Sequence, residues 1–180
     1  RRERQAEAAL AGALENHRLA AGARLRFRHP TPSETLRRAT APSVRLWERR
    51  PDHDDFMALV LGWAPRMPYE PDVVWPPGHA IANAKAIVEA HRHLVDAPVE
   101  FTLAPGTMLG LTGDRRTALA VTRSLMTQAI VHHGPADVRV VVGASTQTAD
   151  DWDWTKWLPH CLDRGADRFL ASDESELEEV

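Results

Sequence analysis

Apolar positions are sparse along the first part of the chain. Leu10, Leu14, Ala21 and Leu25 mark a thin stripe on an Ala-rich, Pro-free run, and the spacing predicts one helix over residues 1–27. Gly12 and Gly22 each weaken that helix by about 1 kcal/mol. So narrow a stripe cannot build a core alone, so the helix needs a partner helix or a neighbouring domain, and it reads as a stalk. His29-Pro30-Thr31-Pro32-Ser33 ends it, because proline removes a donor and clashes with the preceding turn. Ser33 is placed to cap a second helix from Glu34 to about Ala39, which Pro42 ends or restarts.

Further along the pattern changes. Phe56 to Trp63 is apolar enough for a strand, and Pro65, Pro68, Pro71, Pro76 and Pro77 make residues 64–78 an irregular crossing with room for a short strand at Val73–Trp75. Ala80–Val95 is expected as a helix presenting Ile81, Ala84, Ile87, Val88, His91, Leu94 and Val95 on one face. Val99–Leu103 alternates as a strand, and Met108–Leu111 reads as a buried strand running into a Gly-containing turn. Asp114–His133 is a long helix with Ala118, Val121, Leu125, Ala129 and Ile130 inward. Val138–Val142 follows as a strand, Trp152–Leu158 as a short helix and Arg168–Ala171 as a strand, and Glu174 opens a last helix. From about residue 97 strands alternate with helices, which predicts an α/β fold with a mostly parallel sheet, helices covering it and Met108–Leu111 at its centre. There are no internal repeats and no low-complexity stretches.

Composition narrows the class. Hydrophobic residues make up 43% of the 180, enough for a compact core in at least part of the chain. A single cysteine, Cys161, excludes an internal disulfide and fits a reducing compartment. No apolar run approaches the roughly 20 residues needed to span a bilayer. With no secretory h-region and no initial Met, the chain reads as a piece of something larger. The net charge of −3 hides an asymmetry: residues 1–50 hold 12 Arg against 5 Glu, whereas residues 141–180 hold 3 basic against 10 acidic groups. Arg1, Arg2 and Arg4 suit the cytoplasmic flank of a membrane helix, and equally a solvated charged helix.

Gly110-Leu111-Thr112-Gly113-Asp114-Arg115-Arg116-Thr117 carries the chemical information. It lies between an expected strand and an expected long helix, where a phosphate-binding loop of pattern G-x-x-x-x-G-K-[ST] belongs. Gly110 matches the first glycine, and Thr117 matches the magnesium-ligating hydroxyl. Arg115 stands where the second glycine should be, and its Cβ and long side chain obstruct the curl of backbone N–H groups around phosphate. Arg116 replaces the lysine with a bulkier planar cation that is not equivalent. Asp114 puts a carboxylate at the helix N-terminus, where the phosphate would sit, and there it can cap the helix itself. The loop is therefore expected to keep a fold without hydrolysing ATP. The alternatives are an ordinary strand–turn–helix junction with no such ancestry, which the motif alone favours, and an active P-loop NTPase with an atypical loop, Arg116 standing in for lysine and Thr117 holding magnesium.

Three further blocks carry a family resemblance: His29-Pro30 through Leu36 after the Arg-rich helix; Leu46-Trp47-Glu48-Arg49-Arg50-Pro51 with Asp52 and Asp55-Phe56; and His133-Gly134-Pro135-Ala136-Asp137-Val138-Arg139 followed by Trp152-Asp153-Trp154-Thr155-Lys156-Trp157-Leu158-Pro159-His160. In order and spacing they resemble the EccC family of FtsK/SpoIIIE-type ATPases of the actinobacterial type VII (ESX) secretion system, over nearly the whole chain. The resemblance implies a helical membrane-proximal stalk over residues 1–50. Residues 51–180 would then form a degenerate, RecA-like ATPase domain with helices on both faces of a parallel sheet, cut off before its Walker B strand. It further implies a hexameric motor at the cytoplasmic face of the plasma membrane, other membrane components of the secretion complex as partners, and WXG100-type helical-hairpin substrates. ATP and Mg would be held by downstream ATPase domains, with no cofactor in this segment. The expected role is a coupling module between those ATPase domains and the membrane pore.

The remaining clusters read as structural. Trp47 is expected buried at the junction between stalk and domain, with Glu48, Arg49 and Arg50 in ion pairs. Trp152, Trp154 and Trp157, spaced by two and three, anchor a short helix to a core or an interface, with Asp150, Asp151 and Asp153 placed to cap it. His132-His133 and His160-Cys161 lack metal-ligand spacing. The Arg-rich start lacks a nucleic-acid recognition motif in a chain that is net acidic, so no nucleic-acid partner is expected. No Ser/His/Asp or Cys/His set has a credible arrangement.

Overall fold

The computed structural model describes residues 1–41, 43–75, 82–162 and 170–171. They fall into two compact units that alternate along the chain: Arg1–Glu34 with Ala58–Leu109, and Thr35–Met57 with Gly110–Val180. The described fold is mixed α and β, with one antiparallel pair of strands and one short parallel pair.

The first unit is built on helix α1 (Arg2–Arg28), strand β1 (Ala58–Pro68), helix α3 (Ala82–Ala90) and strand β2 (His93–Thr102). β1 and β2 run antiparallel from Ala58 opposite Thr102 to Pro68 opposite His93, with a bulge between Val60 and Gly62. A two-stranded ribbon leaves each strand one unpaired edge, which is why Pro65 and Pro98 fit inside it without losing a ladder bond. Leu59, Val60, Leu94 and Ala97 from the ribbon, Val88 from α3 and Leu14 from α1 are buried. Each large aliphatic side chain among them contributes about 1.5–3 kcal/mol on burial. The expected helix over residues 1–27 is present and finds the neighbours its thin stripe requires: it packs on α3 and β2, and Glu7 accepts from Asn83 while His17 contacts the Tyr69 hydroxyl. One apolar stripe is enough to cover one side of a neighbouring layer.

Several boundaries differ from the sequence reading. α2 spans Pro32–Thr40, with Pro32 in its first turn, and the N-terminal oxygen is supplied by Thr31, which accepts from Glu34 N at 3.3 Å, rather than by Ser33. β1 runs on through Pro68 into the section read as irregular, and Val73–Trp75 forms no strand. The helix expected over Ala80–Val95 stops at Ala90; Leu94 and Val95 belong to β2, because pairing with β1 outweighs the local helical pattern. Met108–Leu111 is not a central strand. Residues 103–114 form no strand and Met108 is 94% exposed. An apolar run of four has no periodicity that separates a strand from an extended loop, and an exposed run can leave its backbone hydrogen bonds to water without any neighbouring strand. Ala80 and Ile81 of the expected helix, Arg168 and Phe169, and the helix expected from Glu174 lie outside the described residues.

The second unit is organised by α4 (Arg115–His132), close to the predicted Asp114–His133. Of the strand expected at Val138–Val142, only Val142–Gly143 (β3) forms, and it pairs in parallel with Leu170–Ala171 (β4). The short helix expected at Trp152–Leu158 is a run of tight 3-10 turns, Ala149–Asp151, Asp153–Trp157 and Pro159–Cys161. Leu125, Ala129, Val131, Val142 and Cys161 are buried, and so are Arg49, His132, His133, Thr155 and His160. No helix among the described residues is long and apolar enough to cross a membrane.

Candidate functional site

The two ends of α4 hold most of the residues singled out from the sequence. At its start, Asp114 is the N-cap: its carboxylate accepts from Arg116 N at 2.9 Å and from Thr117 N at 3.2 Å. The first N–H groups of a helix lack internal partners and attract an anion, and here that anion is the chain's own carboxylate. Hydrogen bonding from the Thr117 side chain, then from the Arg116 and Thr117 backbone, holds the Asp114 carboxyl below its usual range. Thr117, the expected magnesium ligand, is thus engaged with the cap. Gly113 has φ +133°, which only glycine adopts without strain, whereas Gly110 lies in open space with no such demand. Arg115 reaches Asp151, which also accepts from Arg123. Arg116 makes no ion pair among the described residues, and the loop from 110 to 117 is exposed throughout.

The far end is a different environment. The last four carbonyls of a helix are orphans unless something outside it donates to them. Ile130 O receives the Trp47 indole N–H at 3.0 Å, Val131 O receives Trp47 N at 3.0 Å, and His132 O receives Arg49 N at 2.9 Å. Beyond them, the carbonyl of the C-cap residue His133 receives His160 Nε2 at 2.8 Å. The blocks around Trp47, His133 and His160 therefore meet here, the first and last serving as a cap supplied from a distance. Trp47 takes φ 58° and Met57 φ 54° to make the approach, a left-handed backbone that costs non-glycine residues about 1–3 kcal/mol. The indole is 39% exposed, so Trp47 is not the buried anchor expected; its donor role requires only one edge of the ring.

Around that cap the expected ion pairs form. Glu48 accepts from Arg38 at 2.9 Å, Arg49 meets Asp55 at 3.1 Å, and Arg50 meets Asp137 at 3.1 Å. Arg49 is 2% exposed, the most costly of these charges to leave without its carboxylate. His133 is fully buried; its Nδ1–H donates to Ala129 O at 2.8 Å and its Nε2 accepts from Met57 N at 2.9 Å, so the ring must be neutral. Burial lowers the pKa of both His133 and His160 below the ordinary 6.5, partly offset by their hydrogen bonds to backbone carbonyls. Phe56 stands edge-on to His133 at 5.0 Å, and Trp47 to His160 at 6.1 Å.

The tryptophan block divides. Trp152 is half-buried under Arg123 and Trp154 donates to Asp151 O at 3.2 Å, but Trp157 is 73% exposed with Lys156 beside its ring. The acidic residues do not cap this segment as expected: Asp151 pairs with the two arginines and Asp153 with Lys156. The pairings of Asp137 and Asp151 were missed because nothing local in sequence marks a partner many residues away, and that of Asp55 because Asp52 and Asp54 stand equally near Arg49. Among the described residues, no three ligand-type side chains come together as a metal site.

No protein-family model matches the chain. Curated proteins do. The chain is 32% identical over 145 residues to the ESX secretion system protein EccC of Thermomonospora curvata, covering 77% of this chain and 11% of that protein. It is 29% identical over 144 residues to the ESX-4 secretion system protein EccC4 of Mycobacterium tuberculosis, covering 76% and 11%. Against the ESX-3 secretion system protein EccC3 of the same species it is 30% identical over 163 residues, covering 83% and 12%. The chain belongs to the EccC family. It spans about a tenth of the length of these EccC relatives, and in this EccC segment the blocks around Trp47, His133 and His160 gather at one end of α4.

Proposed function

We propose that this EccC segment is a membrane-proximal, structural part of a type VII secretion motor, transmitting motion between ATPase domains and the export pore. The observation that supports this most is the N-terminus of α4, where Asp114 and Thr117 close on each other and Arg115 is drawn to Asp151. In this reading residues 1–50 act as the stalk and residues 51–180 as a degenerate, RecA-like P-loop ATPase domain that has lost its phosphate cradle at residues 110–117. ATP and Mg act in other domains of the longer protein. The assembled form is a homo-hexamer at the cytoplasmic face of the plasma membrane, beside other membrane components of the ESX complex, and the exported cargo is of the WXG100 type.

Calorimetry with ATP and Mg tests the reading. Micromolar affinity corresponds to about −8 kcal/mol, which an exposed loop closed by its own carboxylate does not supply. No binding to the unmodified chain is expected. Binding in that range, abolished by Thr117→Ala, would replace this reading with that of an active P-loop NTPase.

A further inference from the structure

In the first unit an open groove of about 310 Å³ is lined by Glu15 and Arg18 of α1, Arg66 of β1, and His91 and His93 on either side of the turn from α3 into β2. Arg18 is satisfied, gripping Glu15 through two bonds of 2.7 and 2.8 Å. Arg66 is not. Among the described residues its guanidinium meets no carboxylate, and its one contact is His93 Nδ1 at 3.1 Å. That nitrogen must be an unprotonated acceptor, because a guanidinium only donates. On the other wall, His91 Nδ1–H donates to Ile87 O at 2.7 Å, which leaves Nε2 as the atom 3.8 Å from Glu15. The nearby Arg92 is occupied by Glu70 at 3.7 Å and Glu89 at 3.2 Å, so it neither fills the groove nor adds free charge to it.

We infer that this groove binds a phosphate group, held between Arg66, His93 and His91. Protonation of His93 would set two donors face to face across 3.1 Å, a repulsion that an anion accepting from both side chains relieves. Protonation of His91, which lines the same groove, would turn its Nε2 into a donor 3.8 Å from Glu15. A dianionic tetrahedral oxyanion accepts from several directions at once and offsets the charge of one arginine and the two protons taken up. Glu15 is the one carboxylate lining the groove, and it competes with the ligand for these cations. Phosphate binding is therefore coupled to proton uptake by the two rings. The phosphate group has two possible sources, a soluble phosphate or a phosphomonoester lipid headgroup.

Ring-proton NMR of the 180-residue chain, titrated with pH in the absence and presence of inorganic phosphate, reads the coupling directly. Phosphate should raise the titration midpoints of His91 and His93 and leave that of His53 unmoved. Co-sedimentation with phosphatidylcholine vesicles containing phosphatidic acid, against vesicles containing the phosphodiester phosphatidylglycerol, tests the lipid source. Arg66→Gln should abolish the response in either arm without changing the thermal midpoint, since Arg66 is exposed. Glu15→Gln should tighten phosphate binding by roughly tenfold by removing the competing charge. A response to free phosphate alone assigns a soluble ligand, and one to phosphatidic acid alone assigns the headgroup. No response in either arm, or a response that survives Arg66→Gln, overturns the inference.

Discussion

One helix, α4, ends in two contrasting ways. Its N-terminus solves the orphan-donor problem locally, with a carboxylate from the residue immediately before it, in full contact with solvent. Its C-terminus draws donors from Trp47 and Arg49, more than 80 residues back, and from His160, 27 residues ahead, among buried polar side chains. A local cap stabilises one turn and asks little of the rest of the molecule. A remote cap costs strained backbone and desolvated charge, and in return the helix end becomes the point on which separate parts of the unit depend. The difference teaches where this unit can tolerate change.

The contrast can be broken most strongly at Arg49. Arg49→Ala leaves the Asp55 carboxylate without its cation and hollows out a site only 2% exposed. The expected loss is about 3 kcal/mol, read from the urea midpoint at constant slope. Acid comes next. His133 and His160 are held neutral, so below the ordinary pKa of 6.5 the unfolded chain binds protons that the folded chain refuses. Stability should therefore be unaffected by these groups above that value and fall as pH drops through and below it. Urea midpoints measured across this range should show the fall, and His160→Gln should flatten it. A smaller effect belongs to Trp47→Phe, which keeps a ring but removes the indole donor to Ile130 O; about 1 kcal/mol is expected by the same measurement. The least effect belongs to Asp114→Ala. It should barely move the global midpoint but should speed amide hydrogen exchange at Arg116 and Thr117, the two N–H groups it caps. If Asp114→Ala proved as damaging as Arg49→Ala, the distinction between a local and a remote cap would fail.

That distinction also explains what could be read in advance. α1 and α4 were legible almost to the residue, because their signals are local: absence of proline, helical spacing, and an aspartate placed to cap. The Asp114 cap was foreseen on the same grounds. The ion pairs of Glu48, Arg49 and Arg50 were expected as a type, but their partners Arg38, Asp55 and Asp137 were not, since charge complementarity does not specify which opposite charge is met. The ribbon of β1 and β2 was half legible. Its two strands lie on either side of α3, and prolines that normally argue against a strand are harmless at an unpaired edge. Met108–Leu111 was misread because hydrophobicity alone does not say whether a neighbouring strand exists. Trp47 was misread because its size argued for burial, while its actual task is carried by two nitrogens, Nε1 and the backbone N.

The alternation of the two units along the chain has a consequence for synthesis. Residues 35–57 emerge early, but their companions in the second unit begin only at Gly110, after the whole remainder of the first unit has been made. Until then the segment carries the Trp47 indole and the Arg50 guanidinium without their acceptors Ile130 O and Asp137, while Glu48 and Asp55 already lie within it to meet Arg38 and Arg49. Closing the intervening loop costs chain entropy that grows only slowly with its length, so the delay is a matter of timing more than of energy. A ribosome pausing near residue 110 would hold a chain in which Ala58–Leu109 of the first unit has been made while the second is still waiting for the helix it must cap.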